Sequence, residues 1–184
     1  MLSSFVIPFI TIGLAELGDK TQLALILLSS KTRKKTSLII GAVMGFLLID
    51  GLSVILGAQI AEIVPETTLK IISSALFILF GILMLKGLKD DDDTKKTFSK
   101  NPLLNSFLLI SVTEFGDKTQ LATAVFATRY EPLLVLAGAM ASLTILSMTA
   151  VYLGSIISKR IPADTTTKIA GALFILMGVG IHII

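Results

Sequence analysis

The chain of 184 residues has no cysteine, no tryptophan, a single histidine and only 16% charged residues. Each shortage excludes something. Without cysteine there can be no disulfide, thiolate metal ligand or thiol redox switch. One histidine rules out a metal site built on several imidazoles. A soluble domain normally carries about 25% charged residues. This chain is 53% hydrophobic with a mean hydropathy of +0.88, which excludes an ordinary soluble enzyme, a nucleic-acid binder or a disordered chain and points to a bilayer. The formal net charge of +3 does not signal nucleic acid, because membrane proteins gather Lys and Arg in their cytoplasmic loops.

Six apolar stretches, each about the ~20 residues that cross a hydrocarbon core, run roughly over 3–28, 37–60, 67–88, 103–127, 132–157 and 165–184. The separators are short and polar. The first stretch does not read as a cleaved signal peptide: it lacks a basic start, runs too long and contains Glu16 and Asp19. Of the sixteen Lys and Arg, twelve fall at the first, third and fifth loops and two at the second and fourth. That bias predicts both termini outside the cytoplasm.

The chain repeats itself. Glu16-Leu-Gly-Asp-Lys-Thr-Gln-Leu-Ala24 returns as Glu114-Phe-Gly-Asp-Lys-Thr-Gln-Leu-Ala122, and Ala75-Leu-Phe-Ile-Leu-Phe-Gly81 as Ala172-Leu-Phe-Ile-Leu-Met-Gly178. Three crossings per half is an odd number, so the second half must enter from the opposite side. The expected fold is an all-α membrane protein of six transmembrane helices in two inverted three-helix repeats: 1–88, a cytoplasmic linker over 89–101, and 102–184. Transporters built this way hold their substrate near the midplane, where the halves meet.

Glu16 lies at the centre of the first crossing with Asp19 and Lys20 at i+3 and i+4, a spacing that puts all three on one face of a continuous helix. Glu114, Asp117 and Lys118 repeat this in the fourth crossing. A charge at the bilayer centre costs at least ~2.5–3.5 kcal/mol on insertion scales, so the six groups are expected to face the bundle interior. Four carboxylates in one cavity repel one another, and without a cation some hold protons. A hard divalent cation such as Ca²⁺ or Mn²⁺ seeks six or more oxygens and displaces those protons. Thr21, Thr119, Gln22 and Gln120 are candidates for further oxygens. Gly18 and Gly116 are placed to loosen the helix, as in the broken helices of transporters. The plainer alternative is a pair of i,i+4 bridges, Glu16–Lys20 and Glu114–Lys118. Recurrence in both halves, with two acids for each base, argues against it. Lys20 and Lys118 are then candidates for an ion-pair switch, holding a carboxylate in the empty state.

The doubled Glu-x-Gly-Asp-Lys-Thr motif in a small six-helix chain resembles the Golgi manganese/calcium transporter family and its bacterial manganese exporters. The resemblance spans essentially the whole chain and implies cation/proton exchange. It also implies that Glu16, Asp19, Glu114 and Asp117 form the cation site, with Mn²⁺ or Ca²⁺ as transported substrate and no cofactor. Export of manganese across a bacterial inner membrane, by a monomer or homodimer, follows as the expected role.

Other features weigh less. Asp50, in the second crossing, is a candidate for the proton path or an extra cation contact, but its repeat partner is Ser147. Asp90 to Asp93 read as a solvated linker and His182 as an interfacial residue. Gly41 and Gly45, matched by Gly138 and Ser142, read as close helix packing. Two rival functions remain in view. An exporter of a basic amino acid or similar small solute would need a carboxylate-binding group as well as acids. An intramembrane metal-dependent phosphatase would need phosphate clamps, yet the only arginines are Arg33, Arg129 and Arg160, all in loops. No enzyme activity is expected.

Overall fold

The computed structural model describes residues 2–30, 32–86, 99–157, 168, 171–172 and 174–180. Among them every regular element is helical: α1 (Leu2–Glu16), α2 (Lys20–Ser30), α3 (Lys35–Ile63), α4 (Glu66–Leu85), α5 (Pro102–Glu114), α6 (Lys118–Ala127) and α7 (Pro132–Ile157), followed by helical turns over 174–180. The acidic run at Asp90 to Asp93 and His182 lie outside the described residues.

Helix α3, at 29 residues, is about 44 Å long at 1.5 Å per residue, more than a ~30 Å hydrocarbon core requires. Helices α3 and α7 are each long and apolar enough to cross a membrane, and they match the stretches expected at 37–60 and 132–157. The first expected crossing is not one rod: α1 and α2 meet at a 67° bend, and only when taken together are they long and apolar enough to cross a membrane. The fourth is likewise interrupted between α5 and α6. Within α4 the apolar segment Thr67–Leu83 is shorter than a full span, and half of the sixth stretch lies outside the described residues.

The packing follows the repeat. Helix α5 lies on α3, and its counterpart α1 lies on α7; α6 lies on α3, and α2 on α7. Each half thus docks its broken helix onto the long helix of the other half. The long helices run antiparallel, since the Lys35 ammonium at the start of α3 sits 5.3 Å from the centre of the Tyr152 ring near the end of α7. Gly41 and Gly138 make the α3–α5 and α7–α1 contacts close, for a Cβ on either would collide with a carbonyl of the facing helix, Leu103 and Phe5 respectively. Part of the core between the halves is apolar, with Phe77 packed between Phe126 and Phe174 in tilted geometry at ring separations of 5.0 and 5.5 Å.

The second repeated motif packs against itself. Ser74 donates a 2.6 Å hydrogen bond to the Gly178 carbonyl. A Cβ on Gly81 would lie 2.6 Å from the Gly171 oxygen, and one on Gly178 would lie 2.8 Å from the Ser74 oxygen. Residue pairs exchanged in this reciprocal way are the mark of a two-fold relation. Because backbone oxygen cannot yield as a side chain does, Gly81→Ala should cost about 1–3 kcal/mol through overpacking. Melting in detergent should show a lower midpoint for Gly81→Ala and none for Gly51→Ala, whose Cβ would meet nothing within 4 Å.

Candidate cation site

The two helix breaks fall at the same place in the motif. Helix α1 ends at Glu16 and α2 begins at Lys20; α5 ends at Glu114 and α6 begins at Lys118. Between them Gly18 and Gly116 take φ of 86° and 80°, the left-handed region that only glycine enters without strain. The glutamine four residues on holds each break together. Gln22 Oε1 accepts from the Gly18 N–H at 3.1 Å, and Gln120 Oε1 accepts from the Gly116 N–H at 2.6 Å. In this state the glutamine oxygens brace the turn rather than face a cation.

The break corrects the expected placement of the charges. Glu16, Asp19 and Lys20 do not share a face of one helix, because a turn with positive φ separates the glutamate from the other two. Lys118, for which the plainer alternative is an i,i+4 bridge to Glu114, makes contacts with carboxylates of both halves. Lys118 Nζ lies 2.5 Å from Asp19 Oδ2, 3.1 Å from Asp117 Oδ2 and 3.9 Å from Glu16 Oε1. The Lys20 side chain lies outside the described residues.

The motif acids converge. One carboxylate oxygen each from Glu16, Asp19 and Asp117 falls within 4.8 Å of the other two. Glu16 and Glu114 are buried, and Asp117 is 9% exposed. Each glutamate is held by the threonine of the other half: Thr119 Oγ1 donates to Glu16 and Thr21 Oγ1 donates to Glu114. Hydrogen bonds to a charged group are worth about 1.5–3 kcal/mol each, so these crossed pairs fix the carboxylates and tie the halves together. Thr21 and Thr119 therefore act as donors to the acids here, a role that sequence spacing alone did not separate from that of ligand. Glu114 is not one of the three converging carboxylates, although its bond to Thr21 ties it to the first turn of α2.

Asp50 is not one of the three converging carboxylates. It is buried on α3, and its Oδ1 accepts a 2.9 Å bond from Thr123 Oγ1. The same hydroxyl lies 2.9 Å from the Thr119 carbonyl. Thr123 was not singled out by sequence, and no repeat signal could have found it, since its counterpart in the first half is Leu25. An apolar groove of about 280 Å³ between α1 and α7, lined by Phe9, Leu14, Leu17 and Ile145 among others, has no charged lining residue and no part in the site.

Three carboxylates from two broken helices, Glu16 and Asp117 buried and Asp19 18% exposed, meeting around one point, can bind a hard cation. They can equally hold protons when that cation leaves. Comparison with known proteins agrees with this chemistry. The family model described as "Divalent cation/proton antiporter GDT1" matches residues 4–92 and 102–183. A Vibrio cholerae protein named "Putative manganese exporter" is 29% identical over 180 residues, covering 96% of this chain and 89% of its own length. A GDT1-like protein of Synechocystis is 31% identical over 200 residues, covering 97% and 96%. The chloroplastic PAM71 homologue of Arabidopsis thaliana is 28% identical, with 95% of this chain matched to 57% of that one. No solved structure matches. The chain belongs to the GDT1 family of divalent cation/proton antiporters, which are membrane transporters and not enzymes.

Proposed function

We propose that this protein exports manganese from a bacterial cytoplasm in exchange for protons, through a site formed by Glu16, Asp19, Glu114 and Asp117 where two inverted repeats meet. The observation that carries the reading is the convergence of Glu16 and Asp19 from one half with Asp117 from the other, all within 4.8 Å. The antiparallel course of α3 and α7 supports the inverted relation. The name of the Vibrio relative supports manganese and the outward direction. An all-oxygen site also accepts Ca²⁺, and it is proposed as a second, weaker substrate. The excess of Lys and Arg in alternate loops supports an inner-membrane protein with both termini outside.

Carboxylates do the work of exchange. A bound divalent cation neutralises them and excludes protons, and protons arriving on the other face neutralise them and release the cation. Four acids exceed the charge of one divalent ion, so more than one proton should leave as the metal binds. The sign is fixed by this competition: acid weakens metal binding and alkali strengthens it. Calorimetric titration of the detergent-solubilised protein with Mn²⁺, in buffers of different ionisation enthalpy, should give an affinity that rises with pH and more than one proton released per ion. A pH-independent affinity with no proton release would contradict the proposal.

A further inference from the structure

Lys118 stands where a cation would stand. Its Nζ reaches Asp19, Asp117 and Glu16 at 2.5, 3.1 and 3.9 Å, and these are the side chains whose ligand oxygens lie within 4.8 Å of one another. A Ca²⁺-sized ion keeps its oxygens at about 2.3–2.6 Å, so that opposed ligands lie about 4.6–5.2 Å apart. An ion serving all three oxygens must therefore enter the space that the ammonium fills. The lysine side chain is 17% exposed, so it retains a way out of the carboxylate group. It is also the first residue of α6, directly after the break at Gly116, where the chain has a turn rather than a rigid helix on its N-terminal side.

We propose that Lys118 is a tethered counter-ion that competes with the transported cation and selects for divalent charge. This rests on the antiporter reading of the same site. In the unloaded carrier the ammonium supplies part of the positive charge that lets the acids stay together, and the coupling protons supply the rest. A divalent ion brings twice the charge and several coordination bonds, so it displaces the ammonium. A monovalent ion brings no more charge than Lys118 already does. It must also compete with a group whose tether gives it a high effective concentration. Sodium and potassium are thereby kept out of an oxygen site that would otherwise accept them.

Lys118→Met removes the charge and keeps most of the length, whereas Lys118→Arg keeps the charge. By calorimetry, Lys118→Met should bind Mn²⁺ about tenfold more tightly than the wild type, or better, and excess Na⁺ should now weaken that binding. Lys118→Arg should stay close to wild type in both respects. In proteoliposomes, exchange of Mn²⁺ for Mn²⁺ should persist in Lys118→Met while net flux slows, because only net flux requires the unfilled site to return. A second measurement needs no variant. Reductive methylation of the wild-type protein, read by mass spectrometry, should label Lys118 more strongly once Mn²⁺ saturates the site. Wild-type binding of Mn²⁺ without tighter binding in Lys118→Met, or with no gain in Lys118 labelling, would overturn the counter-ion role alone. Failure of the wild type to bind Mn²⁺ or Ca²⁺ at all would instead remove the antiporter reading beneath it.

Discussion

Glu16→Gln is expected to cut cation transport by about a hundredfold or more, equivalent to ~2.7 kcal/mol, while the protein still reaches the membrane folded. Glu16 is 2% exposed and ends α1. Glutamine has the same shape and keeps an oxygen for the Thr119 hydroxyl, so the crossed contact between halves survives. What disappears is one negative charge from the group of three carboxylates, together with its capacity to carry a proton. Glu114→Gln should behave alike, since Thr21 holds Glu114 as Thr119 holds Glu16. Transport assays paired with a melting curve separate the two outcomes. Activity lost with the midpoint preserved assigns the glutamates to the cation path. Full activity in either variant would reduce them to structural hydrogen-bond acceptors.

The second large effect is expected at the helix breaks. Gly116 has φ of 80°, and a Cβ there would meet nothing within 4 Å, so substitution tests backbone conformation and not space. Left-handed backbone costs an L-residue roughly 1–2 kcal/mol, more for a β-branched side chain and less for asparagine. Gly116→Val should lower transport about tenfold or more, on the usual scale of 1.4 kcal/mol per factor of ten. Gly116→Asn should retain most activity. The loss follows from geometry, because a φ that leaves the left-handed region swings Asp117 and Lys118 away from Asp19. A flat series from Asn to Val, measured as initial Mn²⁺ flux, would show that the break does not need its present conformation.

The parts of this arrangement that sequence could and could not reveal divide along physical lines. Burying charge in a bilayer is so costly that Glu16, Asp19, Glu114 and Asp117 stand out against their apolar surroundings with no structure at hand. The doubled motif then requires that whatever one half does, the other answers. The reciprocal contacts of Gly81 with Gly171 and Gly178 with Ser74, and the crossed pairs of Thr21 with Glu114 and Thr119 with Glu16, are that answer. Periodicity misled where the helix stops. An i, i+3, i+4 pattern places three charges on one face only if the helix continues, and at Gly18 and Gly116 it does not. Gly18 marks a weak point, but neither the direction of the 67° bend nor the contact of Lys118 with Asp19 can be read from spacing. Asp50 stood out as a buried charge, but its partner Thr123 lay beyond reach for a different reason: its counterpart Leu25, like Ser147 in the place of Asp50, breaks the symmetry of the two halves.

The central claim is that one set of carboxylates serves the metal and the proton in turn. It is tested most directly by loading proteoliposomes with equal Mn²⁺ on both sides and imposing a pH gradient. Protons running down their gradient should drive Mn²⁺ uphill in the opposite direction, and the movement should vanish in Glu16→Gln and Glu114→Gln. Mn²⁺ that only runs down its own gradient and ignores the pH difference would contradict exchange at a shared site.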